Sequence, residues 1–435
     1  MKIDPAATAW LLASTALVLL MTPGLAIFYG GMVRTTGVLN MIMMSFISIP
    51  LVTVAWLLVG YSVAFSDGGF GGFVGGLAHA GMAGIGPDTL HTQAPVPELL
   101  FATFQLTFAI VTAALVSGAI ADRAKFAAWV VFVLVWSVAV YAVVAHWVWA
   151  PTGWLSKMGV LDYAGGLVVE IVSGSSALAL ALVLGPRIGF KVDAMRPHNL
   201  PFVLLGVGLL WFGWFGFNAG SALAANGLAS AIFLNTLVAG CLGMLGWLAV
   251  EQFRDGKPTT FGAASGVVAG LVAITPSCGY VNALGAAVVG LAAGVVCAFA
   301  ILVKFKLNYD DSLDVVGVHF VGGVVGVSLI GLLATAVMTS GPTGLFYGGG
   351  LGQLGKQSLA MLVVALYAFA VSFGLAKLID RFMGFRVSVA DEKSGVDLTQ
   401  HAETAYPEGV YGHQAPRRPP LGDRAATRPG DDEYR

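Results

Sequence analysis

The sequence predicts an all-α polytopic membrane protein of about eleven transmembrane helices. Three observations carry that expectation: 57% of the 435 residues are hydrophobic, only 10% are charged, and the mean hydropathy is +0.84. Soluble domains carry about 25% charged residues, so a soluble oxidoreductase or a nucleic-acid binder is excluded. The 58 glycines suit helices packed backbone to backbone inside a bilayer.

A bilayer crossing needs roughly 20 apolar residues. Runs of that kind fall near 7–32, 39–64, 98–121, 126–149, 162–185, 199–219, 222–252, 261–276, 280–303, 315–338 and 357–380. They define a transmembrane domain over 1–383, followed by a polar tail over 384–435. Basic residues collect in alternate connections: Arg34; Arg123 and Lys125; Arg187, Lys191 and Arg196; Arg254 and Lys257; Lys304 and Lys306; then Lys377, Arg381 and Arg386. The Gly-rich loop from Phe65 to Pro97 and the loop from Gly341 to Gly355 have no Lys or Arg. The positive-inside rule then places the N-terminus outside and the tail in the cytosol, as an odd number of crossings requires, in an inner (plasma) membrane. The opening Met1-Lys2-Ile3-Asp4-Pro5 shows no separate signal peptide. Cys241, Cys278 and Cys297 form no CxxC, so neither a disulfide, a zinc site nor another cofactor is expected.

Ionisable residues within spans are costly and mark function by default. Asp162-Tyr-Ala-Gly-Gly-Leu-Val-Val-Glu170 opens the fifth run and Asp311-Ser-Leu-Asp-Val-Val-Gly-Val-His319 the tenth, with one shared offset. The first enters from outside and the second from inside. Each terminal residue lies about 12 Å below its Asp, so in a core about 30 Å thick Glu170 and His319 approach one level. This pattern predicts a five-plus-five inverted repeat, with halves at about 7–185 and 199–338, an eleventh helix outside it, and a pathway between the halves. The plainer alternative makes Glu170 and His319 a satisfied structural pair, and Asp162 and Asp311 simple helix caps. Capping and an orienting role are compatible.

Aromatic residues gather where the outer mouth is expected. Trp149 ends the fourth run, Phe108 lies about 15 Å into the third, and Trp214 and Phe217 close the sixth, just before Ser221. Most of the ten Trp read as interfacial belt residues. A Trp/Phe cage with a serine oxygen can also hold a small cation, at about 0.5 to 2 kcal/mol per ring, and suits an ammonium-like ion.

Seven motifs in order closely resemble the ammonium transporter family (Amt/Mep/Rh), in its bacterial Amt type. They are Phe28-Tyr-Gly-Gly31 with Arg34; Ala102-Thr-Phe-Gln105 with Phe108; Asp162-Tyr-Ala-Gly-Gly166; Pro197-His-Asn-Leu-Pro201; Gly213-Trp-Phe-Gly-Phe-Asn-Ala-Gly-Ser221; Thr275-Pro-Ser-Cys-Gly-Tyr280; and Asp314-Val-Val-Gly-Val-His319. The resemblance implies an eleven-helix protomer, a homotrimer with one pore per subunit, and conduction of ammonium and ammonia rather than enzymatic turnover. Matched by motif, Trp149, Phe108 and Ser221 form an outer recruitment site shaped by Asp162. Phe108 and Phe217 form the gate, and Glu170, His319 and Trp214 line the relay below it. Glu170 stands where the common pattern has the first pore histidine, a substitution also resembling some fungal members.

Gly395-Val-Asp-Leu-Thr-Gln-His-Ala-Glu-Thr-Ala-Tyr406 resembles the family's tail motif. It implies docking on the cytosolic face and a PII-type signalling partner. Beyond Pro407 the composition reads as a disordered extension. Two rival readings remain: an ammonium sensor that signals through its tail, and an Rh-type neutral-gas channel, against which Trp149 and Ser221 argue. A membrane enzyme ranks last, since no nucleophile, base and orienter fall together.

Overall fold

The computed structural model describes residues 2–338 and 341–406. Among the described residues, ten helices are long and apolar enough to cross a membrane: α1 (Pro5–Met32), α2 (Val38–Phe65), α3 (Glu98–Ile120), α4 (Phe126–Met158), α5 (Gly166–Leu184), α6 (Leu200–Gly220), α7 (Gly227–Asp255), α9 (Ala283–Leu307), α10 (Val316–Leu333) and α11 (Gly352–Met383). A shorter apolar helix, α8 (Thr260–Ile274), lies between α7 and α9.

Side-chain caps explain several starts, because N–H groups at a buried helix end must find a partner within the protein. Asp4 accepts from the Ala7 N–H at 2.7 Å, Asn199 from Phe202 at 3.0 Å, Asn226 from Ala229 at 3.0 Å, Thr259 from Gly262 at 2.8 Å and Asn282 from Gly285 at 2.9 Å. The same logic moves the fifth boundary. The chain from Asp162 to Gly165 is not helical, and α5 begins at Gly166 because the Asp162 side chain caps it from outside. The tenth helix likewise stops at Leu333 rather than 338, and the eleventh extends to Gly352 and Met383.

The eighth run, expected over 261–276, folds as 15 helical residues, about 22 Å of rise against a core of about 30 Å. A turn continues it. Asn235 on α7 donates to the Cys278 and Val281 carbonyls at 2.9 and 2.8 Å, which satisfies irregular backbone inside protein rather than in lipid.

Packing depends on small residues. α1 lies along α6, and α7 against α8 and α9. A Cβ on Gly206 would strike Phe28, and one on Gly243 would strike Gly270. The fifth and tenth helices meet, α5 against α10. Each opens with a π-helical turn, Gly166–Ile171 and Val316–Phe320, and each turn carries its ionisable residue. α11 stands outside this pairing and packs on both α5 and α10.

After α11 the chain folds back as α12 (Val389–Ser394) and α13 (Val396–His401). Asp397 accepts from the Leu39 and Asn40 N–H groups at 3.0 and 2.7 Å, so the tail caps α2. The extension beyond Pro407, expected to be disordered, lies outside the described residues.

Candidate functional site

Phe108 and Phe217 stack with ring centroids 4.0 Å apart and planes at 18°. Trp149 meets the edge of Phe108 at 6.0 Å and 86°. Ser221 sits one turn beyond Phe217, to whose carbonyl its hydroxyl donates at 2.8 Å, leaving oxygen lone pairs for a further donor. Three rings and one hydroxyl thus come from α3, α4 and the end of α6.

Asp162 lies under this group without facing it. Oδ1 accepts from the N–H groups of Gly165 and Gly166 at 3.0 and 2.6 Å. Oδ2 accepts from Leu167 and Val168 at 2.7 and 3.2 Å. Its carbonyl receives the Trp149 indole N–H at 3.0 Å. Both carboxylate oxygens are therefore engaged by backbone, and Asp162 ties the Trp149 indole to the start of α5. Gly165 makes the turn possible: at φ +122° it occupies a region closed to other L-residues, and a Cβ there would strike Val169.

Below the stacked rings, His319 Nδ1 and Glu170 Oε2 are 2.7 Å apart, both buried. They line one narrow cavity with Trp214, Phe217, Phe28 and Leu210. Its volume is about 10 Å³, at the lower limit for a single water molecule. A hydrated ion does not fit. Trp214, expected in the relay, reaches the cavity with its ring, but its indole N–H is committed to Thr275 Oγ1 at 2.8 Å.

Comparison with known proteins agrees with this architecture. The family model described as Ammonium Transporter Family matches residues 9–406. This chain belongs to that family. It is 51% identical over 433 residues to an ammonium transporter of Mycobacterium tuberculosis (strain ATCC 25618 / H37Rv), covering 93% of this chain and 90% of that protein. The crystal structure of Saccharomyces cerevisiae Mep2 superposes with a TM-score of 0.84 at 34% identity, covering 96% of this chain and 94% of that one. A solved Sensor Amt Protein gives 0.84 at 26% identity, over 91% and 98%.

In this Ammonium Transporter Family member the sequence also holds groups that spacing did not single out. The rest of the cavity wall is apolar, built from Met21, Leu25, Val111, Leu115 and Val268, which read only as generic span residues. On the opposite side of the membrane domain, Arg187 grips Asp310 through Nε and Nη2 at 2.8 and 2.9 Å. Arg123 donates to the Asp310 carbonyl at 2.6 Å. Burial raises the Asp310 carboxyl, but the Arg187 hydrogen bonds outweigh it and hold the group below the usual range. Burial pushes the Arg123 guanidinium down to about 10. These arginines entered the sequence reading only as topology markers, although charge pairing needs a partner that lies 123 residues away.

Proposed function

We propose that the chain carries ammonium across a membrane by loading it at the Trp149, Phe108 and Ser221 cage, stripping a proton, and passing ammonia between Phe108 and Phe217. Ammonia then moves along Glu170 and His319, and the ion re-forms inside. A cation entering a dry constriction loses hydration at a cost of many kcal/mol, whereas neutral ammonia loses far less. Potassium, similar in size and charge, has no proton to give up.

The observation that carries this reading is the contact between Glu170 and His319 on the wall of a cavity too narrow for a hydrated ion. The two groups share a hydrogen bond, and Glu170 is the acceptor through which net charge moves. Family membership supports ammonium as cargo and argues against an enzyme. The alternate basic loops support an outer N-terminus, a cytosolic tail, an inner-membrane location and eleven crossings, with α8 and its turn completing the short one. A homotrimer with a pore in each subunit, and a PII-type partner on the cytosolic face, extend the same reading.

Current after an ammonium jump on protein reconstituted in a supported bilayer tests it, with potassium as control. Glu170→Gln is expected to lower the ammonium current about 100-fold, the scale of a lost acid–base group, and to change its pH profile. An unchanged current and profile would remove Glu170 from the mechanism, and equal potassium current would remove the selectivity argument. The likeness to a Sensor Amt Protein favours a second reading, in which the chain reports ammonium through its tail. Saturable ammonium binding with no current would select it.

A further inference from the structure

The outer cage is held from a helix that neither half of the repeat contains. Gln357, fully buried on α11, pairs its carboxamide with both backbone groups of one residue: Oε1 accepts from the Leu161 N–H at 2.9 Å, and Nε2 donates to the Leu161 carbonyl at 2.7 Å. One turn earlier, Gln353 donates from Nε2 to the Gly159 carbonyl at 3.1 Å and to Gln357 Oε1 at 3.0 Å. Three hydrogen bonds of two buried amides therefore converge on the stretch from Gly159 to Leu161, and a fourth ties the amides to each other.

That stretch leads straight into the site. Leu161 precedes Asp162, whose carbonyl fixes the Trp149 indole and whose carboxylate holds the start of α5. The segment is not helical and has no ladder of its own to hold it. An apolar residue at 357 would leave the Leu161 N–H and carbonyl without their partners in a buried place, where an unmatched polar group is expensive. The segment would shift, and the indole and carboxylate would shift with it.

We propose that Gln357, assisted by Gln353, is a positioning residue for the outer ammonium site: it sets the orientation of Trp149 through the Leu161 peptide and Asp162. The inference rests on the cage as the loading position. It touches no conducted species, so it governs how tightly ammonium loads and leaves the pore below unaffected.

The test is the concentration dependence of ammonium current from the reconstituted full chain. Gln357→Leu is expected to raise the half-saturating ammonium concentration about fivefold, the conversion of roughly one net neutral hydrogen bond, while maximal current per assembled protein stays within about twofold. In a Trp149→Leu background the same change is expected to add no further shift, because coupled residues fail to add. Gln353→Leu, which removes the lesser tie, is expected to give a smaller shift of the same kind. It carries the test if Gln357→Leu does not assemble. An unaltered half-saturation, a loss confined to maximal current, or a full second shift on top of Trp149→Leu would overturn the proposal. The two readings fail differently: if Trp149→Leu itself leaves half-saturation in place, the loading site is wrong, whereas a shift for Trp149→Leu and none for either glutamine variant sinks the brace alone.

Discussion

Asp162 and Asp311 stand eight residues before Glu170 and His319 and cap the π-turns that carry them, yet the two ends of the molecule hold these caps by opposite means. Around Asp162 the supports are neutral: four backbone N–H groups, an indole, and the Gln357 amide pairing on the preceding residue. Around Asp311 they are ionic. Its carboxylate takes only the N–H groups of Val315 and Val316, at 3.1 and 2.7 Å. Lys304 donates to its carbonyl at 2.8 Å and pairs with Asp314 at 2.6 Å, beside the Arg187 and Asp310 pair. The groups that bond Asp162 and Leu161 are thus polar but uncharged. The opposite end, where Arg123, Arg187 and Lys304 gather, fastens its loops with charge.

The comparison breaks most visibly at the caps. Asp162→Ala leaves four buried N–H groups unpaired, a loss of about 4 kcal/mol or more. Asp311→Ala leaves two and is expected to cost about 2 kcal/mol. Thermal unfolding of the two purified variants in one detergent checks the ranking. An equal loss, or a larger one at Asp311, would mean that the charged surroundings contribute more than the hydrogen bonds.

Next in size is the ionic side itself. Arg187→Met leaves the buried Asp310 carboxylate without its side-chain hydrogen bonds, facing only Arg123 at 4.0 Å, and is expected to destabilise the protein by about 3 kcal/mol. Adding Asp310→Leu removes the stranded charge and is expected to recover much of that loss. No recovery in the same unfolding measurement would show that Asp310 is needed for its contact with the Arg187 backbone N–H rather than as half of an ion pair.

How far these features were legible follows from what each depends on. Hydropathy and spacing are local, so the spans, the alternation of basic loops, and the equal offsets from Asp162 to Glu170 and from Asp311 to His319 could be read directly. That Glu170 meets His319 at 2.7 Å followed because two opposed helices with equal offsets reach one depth. Gln353 and Gln357 could not be read, since a glutamine near a span boundary resembles any interfacial residue until the peptide it pairs with is folded beside it. The shortness of α8 was legible in a run of 261–276 that meets Pro276, Ser277 and Gly279, but the capture of the turn's carbonyls by Asn235 on α7 was not, since that partner lies more than forty residues away. Asp162 was expected as a buried carboxylate that caps and shapes, but sequence could not show that four backbone N–H groups use both its oxygens.

The smallest expected effect again concerns the ionic end, where the tail docks. His401 Nε2 lies 2.9 Å from Asn40 Oδ1, and His198 bridges the Val33 carbonyl and the Tyr406 hydroxyl at 2.9 and 2.7 Å. Burial lowers both imidazoles below their ordinary 6.5, with Glu403 partly opposing this at His401. Their contribution to docking is therefore complete above pH 6.5 and is lost as pH falls through the lowered values. Asp397 runs the other way. Burial, helped by Asp122 and resisted by the N–H groups it accepts, raises it to about 6, so its contribution is complete below 3.8 and is lost as pH rises through about 6. Replacing both His198 and His401 by Gln is expected to leave a tail that tightens on acidification through that window. Asp397→Asn is expected to leave one that only loosens. Hydrogen exchange over Val389–Ser394 and Val396–His401, compared at several pH values after correction for intrinsic exchange, separates the two, and responses of the same sign in both variants would show that tail docking is not governed by these three groups.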